Sequence, residues 1–221
     1  MKKRRQVGRP RKTADWLAPR ERLLNSAREL FYRKGVSRTG VDELTEHAGI
    51  SKMSLYAHFP SKDELIAEYV TDRDRAFRRW LDEQMGAAPQ EPRARLLHVF
   101  DAVGSWVGQA HYCGCAFINA AAQLNDPSHP GFAAAGAAKA ALRARLEDLA
   151  RDARLEEPER LARQLSLLID GTLVAAAMER SGAPVAAARE AAAALVAARA
   201  GGPTSGARAR RGATARTRGA Q

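Results

Sequence analysis

The sequence predicts an all-α fold of about nine helices, and three observations carry that expectation. Hydrophobic residues make up 45% of the 221-residue chain but aromatic ones only 6%. The interior therefore has to be built largely from Ala, Leu and Val, a mixture that favours helices over sheets. Apolar positions recur at three- and four-residue spacing along most of the chain. Gly and Pro fall at the edges of those periodic runs, where they start or stop helices. No internal repeat and no strand is legible.

Leu23, Ala27, Leu30 and Phe31 mark the first helix, roughly 19 to 34, with Arg33 and Lys34 in its last turn and Gly35 as its stop. Val41, Leu44, Thr45 and Ala48 lie on one face of a short second helix closed by Gly49. Ser51 can cap a third helix reaching about Phe59, and Pro60 breaks the chain. Ser61 followed by Lys62-Asp63-Glu64 has the form of a capping box. Leu65, Ile66, Tyr69, Val70, Phe77, Trp80 and Leu81 then predict a long fourth helix ending near Met85-Gly86. After a linker from Pro89 to Pro92, Leu96 to Ala110 predicts a fifth helix, and a break spans His111 to Gly114. Phe117 to Leu124 gives a short sixth helix. The turn-rich stretch Asn125 to Pro130 precedes an Ala-rich seventh carrying Ala138, Leu142, Leu146 and Leu149. Pro158 opens the eighth as an N1 proline, and the ninth occupies roughly 184 to 199.

Residues 39 to 59, TGVDELTEHAGISKMSLYAHF, read as two short helices joined through Gly-Ile-Ser. Two helices that cross steeply need a small contact residue, here Ala48. The tight turn needs one that tolerates positive φ, here Gly49. Ile50, Leu55 and Phe59 anchor the third helix. Its other face, Lys52, Met53, Ser54, Tyr56, Ala57 and His58, is a set of donors and contact groups suited to a DNA major groove. In competing readings Tyr56 is a core aromatic and His58 packs between helices. Lys62, a cation at the positive end of a helix, is unfavourable there unless an anion such as phosphate sits beside it.

Residues 20 to 70, above all the run YAHFPSKDEL, closely resemble the N-terminal domain of TetR/AcrR-type transcriptional regulators. The resemblance makes the third helix the recognition helix, its Leu-Tyr-x-His-Phe-x-x-Lys pattern standing here as Leu55, Tyr56, His58, Phe59 and Lys62. It implies base-facing roles for Lys52 and Met53 and phosphate-facing roles for Ser54, Tyr56, His58 and Lys62. Thr39 and Gly40 match a DNA-contacting pair that often carries two hydroxyls; Gly40 lacks one, so a phosphate contact there can come only from its backbone. The resemblance also implies a division into an arm at 1–18, a DNA-binding domain at 19–65 with its motif at about 40–59, and a ligand-binding and dimerisation domain at 66–200. A basic tail follows at 201–221. It implies a homodimer through helices eight and nine, with Ala175, Ala176, Ala177, Ala187, Ala188 and Ala192 permitting close approach. A two-fold dimer is also a physical need, because one short helix reads too few bases of a palindromic double-stranded operator.

Charge placement agrees. Residues 1–20 hold eight Lys and Arg against Asp15 alone, and the last 23 residues hold six Arg and no acid, while the remainder is close to neutral. Basic arms on a neutral body point to a polyanionic partner. Within the first arm, Gly8-Arg9-Pro10-Arg11 has the form of a minor-groove hook with Arg9 as the inserted residue. Two Cys cannot build a disulfide scaffold and no apolar run follows the basic start, so a cytoplasmic location is expected. Ala102 to Asn125 lacks charge but is interrupted by Ser105, Gln109, His111, Asn119 and Gln123, which favours a buried core over a membrane span.

Helices four to eight are expected to enclose an apolar pocket for a small-molecule effector, itself apolar or aromatic, lined by Phe100, Trp106, Tyr112, Phe117 and Asn119, with Asp170 as a polar group. Asp170 interrupts an apolar run and needs a partner. His111-Tyr112-Cys113-Gly114-Cys115 suggests metal or thiol chemistry, but Cys-x-Cys without a clear fourth ligand is a weak zinc pattern. No cofactor is expected, and no phosphate loop, nucleophile elbow or paired metal-ligand motif marks an enzyme. The function expected is a ligand-released repressor. Its rivals are a thiol-dependent redox protein and a nonspecific nucleic-acid coat driven by the tails.

Overall fold

A computed structural model describes residues 17–200, and among them are nine α-helices and no strand. These are α1 (Pro19–Lys34), α2 (Val41–Ala48), α3 (Lys52–His58), α4 (Lys62–Gly86), α5 (Pro92–Val107), α6 (Ala116–Leu124), α7 (Pro130–Asp152), α8 (Pro158–Glu179) and α9 (Ala183–Ala198). The basic arm with Arg9 and the tail beyond Ala200 lie outside the described residues. Helix α5 stops at Val107, three residues before the expected Ala110, with Gly108 as its C-cap donating to the Gly104 carbonyl at 3.0 Å.

The helices bury two apolar clusters. In the first, Leu23, Ala27, Leu30 and Phe31 of α1 meet Leu44 and Ala48 of α2, Leu55 of α3 and Leu65, Ile66, Tyr69 and Val70 of α4. Each fully buried Leu contributes roughly 1.5–3 kcal/mol by leaving water. The second takes Leu81 and Met85 of α4, Leu96, Val99, Phe100 and Val103 of α5, Leu142, Leu146 and Leu149 of α7, Leu161, Leu165 and Ile169 of α8, and Ala188, Ala192 and Val196 of α9. Helix α4 runs through both. Ala120 of α6 and Ala135 of α7 lie in the first cluster, and Phe117 of α6 packs against both. A push on Phe117 is thus felt on either side, since close-packed interiors transmit displacement.

The chain crosses between the clusters through polar ties as well. Tyr32 Oη of α1 accepts from Cys113 N at 2.9 Å and donates to the Gly114 carbonyl at 3.1 Å. Ser37, between α1 and α2, donates through N to Gln123 Oε1 at 3.3 Å and through Oγ to the Gln123 carbonyl at 3.1 Å. Beside it Gly35 has φ +96 and ψ 154, and a Cβ there would stand 2.3 Å from Gln123 Oε1. That backbone region is essentially glycine-only, costing other residues about 1–3 kcal/mol. Gly35→Ala is therefore expected to lower unfolding free energy by at least that amount in urea titration, and to weaken protection of the Ser37 amide in hydrogen exchange.

Arg28 of α1 clamps Asp72 of α4 with two parallel bonds, Nε to Oδ2 and Nη2 to Oδ1, both 2.7 Å. These hydrogen bonds hold the Asp72 carboxyl below its usual range, burial opposing them. A depressed carboxyl pKa means that the unfolded chain binds more protons in the acid range, so the pair's stability is present above the unfolded pKa and lost as pH falls through the folded one. Asp72→Asn is expected to be less stable than the natural protein at neutral pH, with the gap closing below about pH 4, as followed by denaturant melts across pH.

The helices expected to pair with a second subunit carry their small residues differently from the expectation. Of the six alanines expected at that contact, Ala176, Ala188 and Ala192 point into the chain's own core, Ala175 and Ala177 are half-buried and Ala187 is exposed. The outer row of α8 is instead Leu167, Gly171, Val174 and Met178, and that of α9 is Ala187, Ala191, Ala194 and Ala198, all exposed. Among the described residues α8 alone is long and apolar enough to cross a bilayer by length and composition. Its inner side packs against α5, α7 and α9, as a core helix does.

Candidate functional site

Residues 39 to 59 form the expected corner. Gly49 takes the left-handed conformation at φ +64, its N–H returning to the Glu46 carbonyl at 3.1 Å while Ile50 N donates to Thr45 O at 3.0 Å. This satisfies carbonyls at the end of α2. A Cβ on Gly49 would meet Arg22 Nη2 at 2.6 Å, the same atom that donates to the Gly49 carbonyl at 2.7 Å. Ser51 then caps α3 by accepting from Ser54 N, and Ser61 caps α4 by accepting from Glu64 N, each at 3.1 Å.

Helix α3 is held by one side only. Leu55 and the following Phe59 are buried, and the Arg20 guanidinium covers the Phe59 ring at 5.2 Å. Lys52, Met53, Tyr56, Ala57 and His58 are exposed and Ser54 is half-buried. Met53 is 83% exposed and Tyr56 50%, so Tyr56 is not a core aromatic, and His58 is not packed between helices. Lys52 is paired with Asp42 in the first turn of α2, which draws the start of α3 against the start of α2 and raises the Lys52 pKa. Sequence reasoning missed Asp42; a carboxylate in a first turn reads as an ordinary dipole partner.

Lys62 stands half-buried at the opening of α4, and burial lowers its pKa. No carboxylate lies within ion-pair distance of it among the described residues. Gly40 is the exposed N-cap of α2 and lends no side-chain acceptor to that helix's first N–H groups, which leaves them available to an anion. Thr39 corrects the expectation. Its side chain is fully buried and its Oγ1 donates to the Gly35 carbonyl at 2.8 Å, so the hydroxyl braces the turn before α2 and does not reach the surface. Arg38, one residue earlier, is exposed and was missed; a lone Arg beside a turn carries no periodic signal.

A cavity of about 30 Å³ lies between α4, α5, α6, α7 and α8. Trp106 and Phe117 line it as expected. Arg73, Phe77, Cys115 and Lys139 line it too and were not anticipated. Phe77 makes edge-on contacts with Trp106 at 5.4 Å and Phe117 at 6.5 Å, and Trp106 lies 4.7 Å from Trp80. The other four expected lining residues sit elsewhere. Phe100 is fully buried in the core. Tyr112 is tied down by donating to the Leu173 carbonyl at 2.7 Å, and Asn119 Nδ2 donates to the Cys113 carbonyl at 3.0 Å. Asp170 has the partner it required, Lys139, whose ammonium it faces from α8. Cys113 is exposed while Cys115 is buried, its thiol pKa pushed up by burial.

Comparison with known proteins agrees with this geometry. Residues 23–69 match the model of bacterial regulatory proteins of the tetR family. A solved TetR-type transcriptional regulator from Streptomyces avermitilis is 35% identical, with 80% of this chain and 98% of that one covered at a TM-score of 0.68. A TetR-family regulator from Streptomyces coelicolor is 26% identical over 83% of this chain and 96% of that one, TM-score 0.76. The transcriptional regulator YjdC of Escherichia coli is 25% identical over 166 residues, 75% of this chain and 87% of the relative. With the motif, the two-cluster helical architecture and a likeness over 80% of the chain all in agreement, the chain belongs to the TetR family of DNA-binding transcriptional regulators and is not an enzyme.

Proposed function

We propose that the protein is a cytoplasmic, homodimeric repressor that occupies a near-palindromic duplex operator and leaves it when a small apolar or aromatic molecule enters the cavity. The observation that carries this reading is the division of α3 into a buried side, Leu55 with the adjoining Phe59, and an exposed outer side of Lys52, Met53, Tyr56 and His58. In the operator complex Lys52 exchanges Asp42 for a guanine edge, Met53 meets a thymine methyl, and Ser54, Tyr56, His58 and Lys62 hold phosphates. Arg38 and the open first turn of α2 at Gly40 add to that phosphate set, while Thr39 acts only through the backbone it braces. Two such units are joined through the outer rows of α8 and α9, and a two-fold operator requires their recognition helices to stand about 34–36 Å apart, one turn of duplex.

Release follows from the cavity's size. A space of about 30 Å³ holds a few atoms, so a larger molecule fits only by moving a wall. Phe117 belongs to both clusters, and α4 enters both, so such a shift reorients the recognition helices. A full reversal of occupancy, from 1:99 to 99:1, requires the effector to favour the released form by about 5.5 kcal/mol.

Selection of bound duplexes from a random pool by the full chain, followed by footprinting, tests the reading. A two-fold-related consensus with half-sites one helical turn apart is expected. Binding without sequence preference, driven by the basic ends, would leave the nucleic-acid coat as the better description.

A further inference from the structure

The cavity wall carries charge of one sign. Arg73 and Lys139 line it and no carboxylate does. The two cations differ in their circumstances. Lys139 is neutralised by Asp170. Arg73 is half-buried, and its acidic sequence neighbours are committed elsewhere, Asp72 to Arg28 and Asp74 to Arg78. Its guanidinium lies 4.9 Å from the centre of the Tyr32 ring and 5.7 Å from that of Trp106. Ring faces attract the charge but accept none of its five N–H donors in line. Among the described residues no carboxylate or carbonyl receives a hydrogen bond from Arg73.

A guanidinium drawn partly out of water without acceptors is complementary to a planar oxyanion, which takes two parallel N–H bonds at once. One uncompensated cation matches one negative charge. The remaining wall, with Phe77, Trp106, Phe117 and Leu142, is apolar and suits a hydrocarbon or aromatic body. We propose that the effector is an apolar or aromatic monocarboxylate whose carboxylate is received by Arg73. This rests on the reading of the cavity as the effector site and adds its chemical class. Because the same guanidinium lies against Tyr32, whose hydroxyl bridges α1 to the 113–114 backbone, a carboxylate that draws Arg73 towards the cavity also loosens a tie to the first cluster.

Matched acid and amide pairs test this on the full chain: benzoate with benzamide, phenylacetate with phenylacetamide, and octanoate with octanamide. Calorimetry at fixed ionic strength supplies affinities and tryptophan fluorescence reports on the cavity. At least one acid is expected to bind tenfold or more tightly than its amide and to perturb the fluorescence. Arg73→Met, which keeps the aliphatic stem, is expected to reduce that acid to the amide's affinity without weakening the amide. The double substitution Lys139→Met with Asp170→Asn, which removes that ion pair without stranding a charge, is expected to retain the preference for the acid. Equal binding of acid and amide to the natural protein overturns the carboxylate assignment and leaves the effector cavity standing. A preference that survives Arg73→Met overturns the assignment to Arg73. Failure of every pair member to bind overturns both this inference and the effector reading beneath it.

Discussion

Lys52→Ala is expected to bind the selected operator about 5- to 150-fold more weakly, the equivalent of the 1–3 kcal/mol that a good base contact discriminates. Its larger signature is loss of preference at one base pair of each half-site. Lys52 is exposed and its one ion-pair partner among the described residues, Asp42, is itself 78% exposed, so removing the ammonium leaves no buried charge behind and the fold should be unaffected. Lys62→Ala is the contrasting case. A phosphate contact carries no base information, so its loss should weaken binding to all duplexes alike and lower the salt slope by about one. Asp42→Asn supplies the third arm: it frees Lys52 from competition and should tighten binding. Fluorescence anisotropy at several salt concentrations, on the selected duplex and on single-base variants, separates these outcomes. Uniform weakening by Lys52→Ala, with base preference intact, would remove Lys52 from the base-reading set.

How much of this was legible beforehand depended on whether a residue's environment is written in its neighbours. The helix-turn-helix was, because Gly49 is required by backbone conformation, Ser51 and Ser61 by unsatisfied N–H groups, and Leu55 and Phe59 by spacing. The buried state of Thr39 was not. A hydroxyl in a loop gives no periodic sign of its direction, and its acceptor, the Gly35 carbonyl, is presented by a glycine-only turn locked against Gln123 from a distant helix. Phe100 shows a related limit: periodicity placed it inside α5's packing but could not tell a core position from a cavity wall. Arg73 and Lys139 were overlooked for the opposite reason, since charged residues on long helices read as solvated. On α9 the difficulty was compositional. Ala187 and Ala188 are neighbours with opposite exposures, and where nearly every position is Ala the pattern that distinguishes faces is erased.

Val174→Asp is expected to convert the proposed dimer to monomers and to reduce affinity for the full operator by about 10²- to 10⁴-fold, the range gained when two binding units are physically linked. Val174 is 40% exposed in the free chain and lies between Leu167, 66% exposed, and Met178, 80% exposed, on the outer row of α8. A monomer that kept these three in water would forgo their burial; a second copy recovers it, and the all-Ala outer row of α9 lets two backbones approach closely. Two-fold symmetry puts each substitution into the interface twice. Desolvating two carboxylates beside each other costs several kcal/mol, more than the lost apolar contact of two valines. The monomer should keep its helical circular dichroism and its melting profile against urea, because Val174 contributes little to its own core, and should bind a half-site as well as the natural protein's single unit does. Sedimentation equilibrium paired with anisotropy on full and half sites reads both effects. A Val174→Asp protein that sediments as a dimer and holds the full operator would move the interface away from α8.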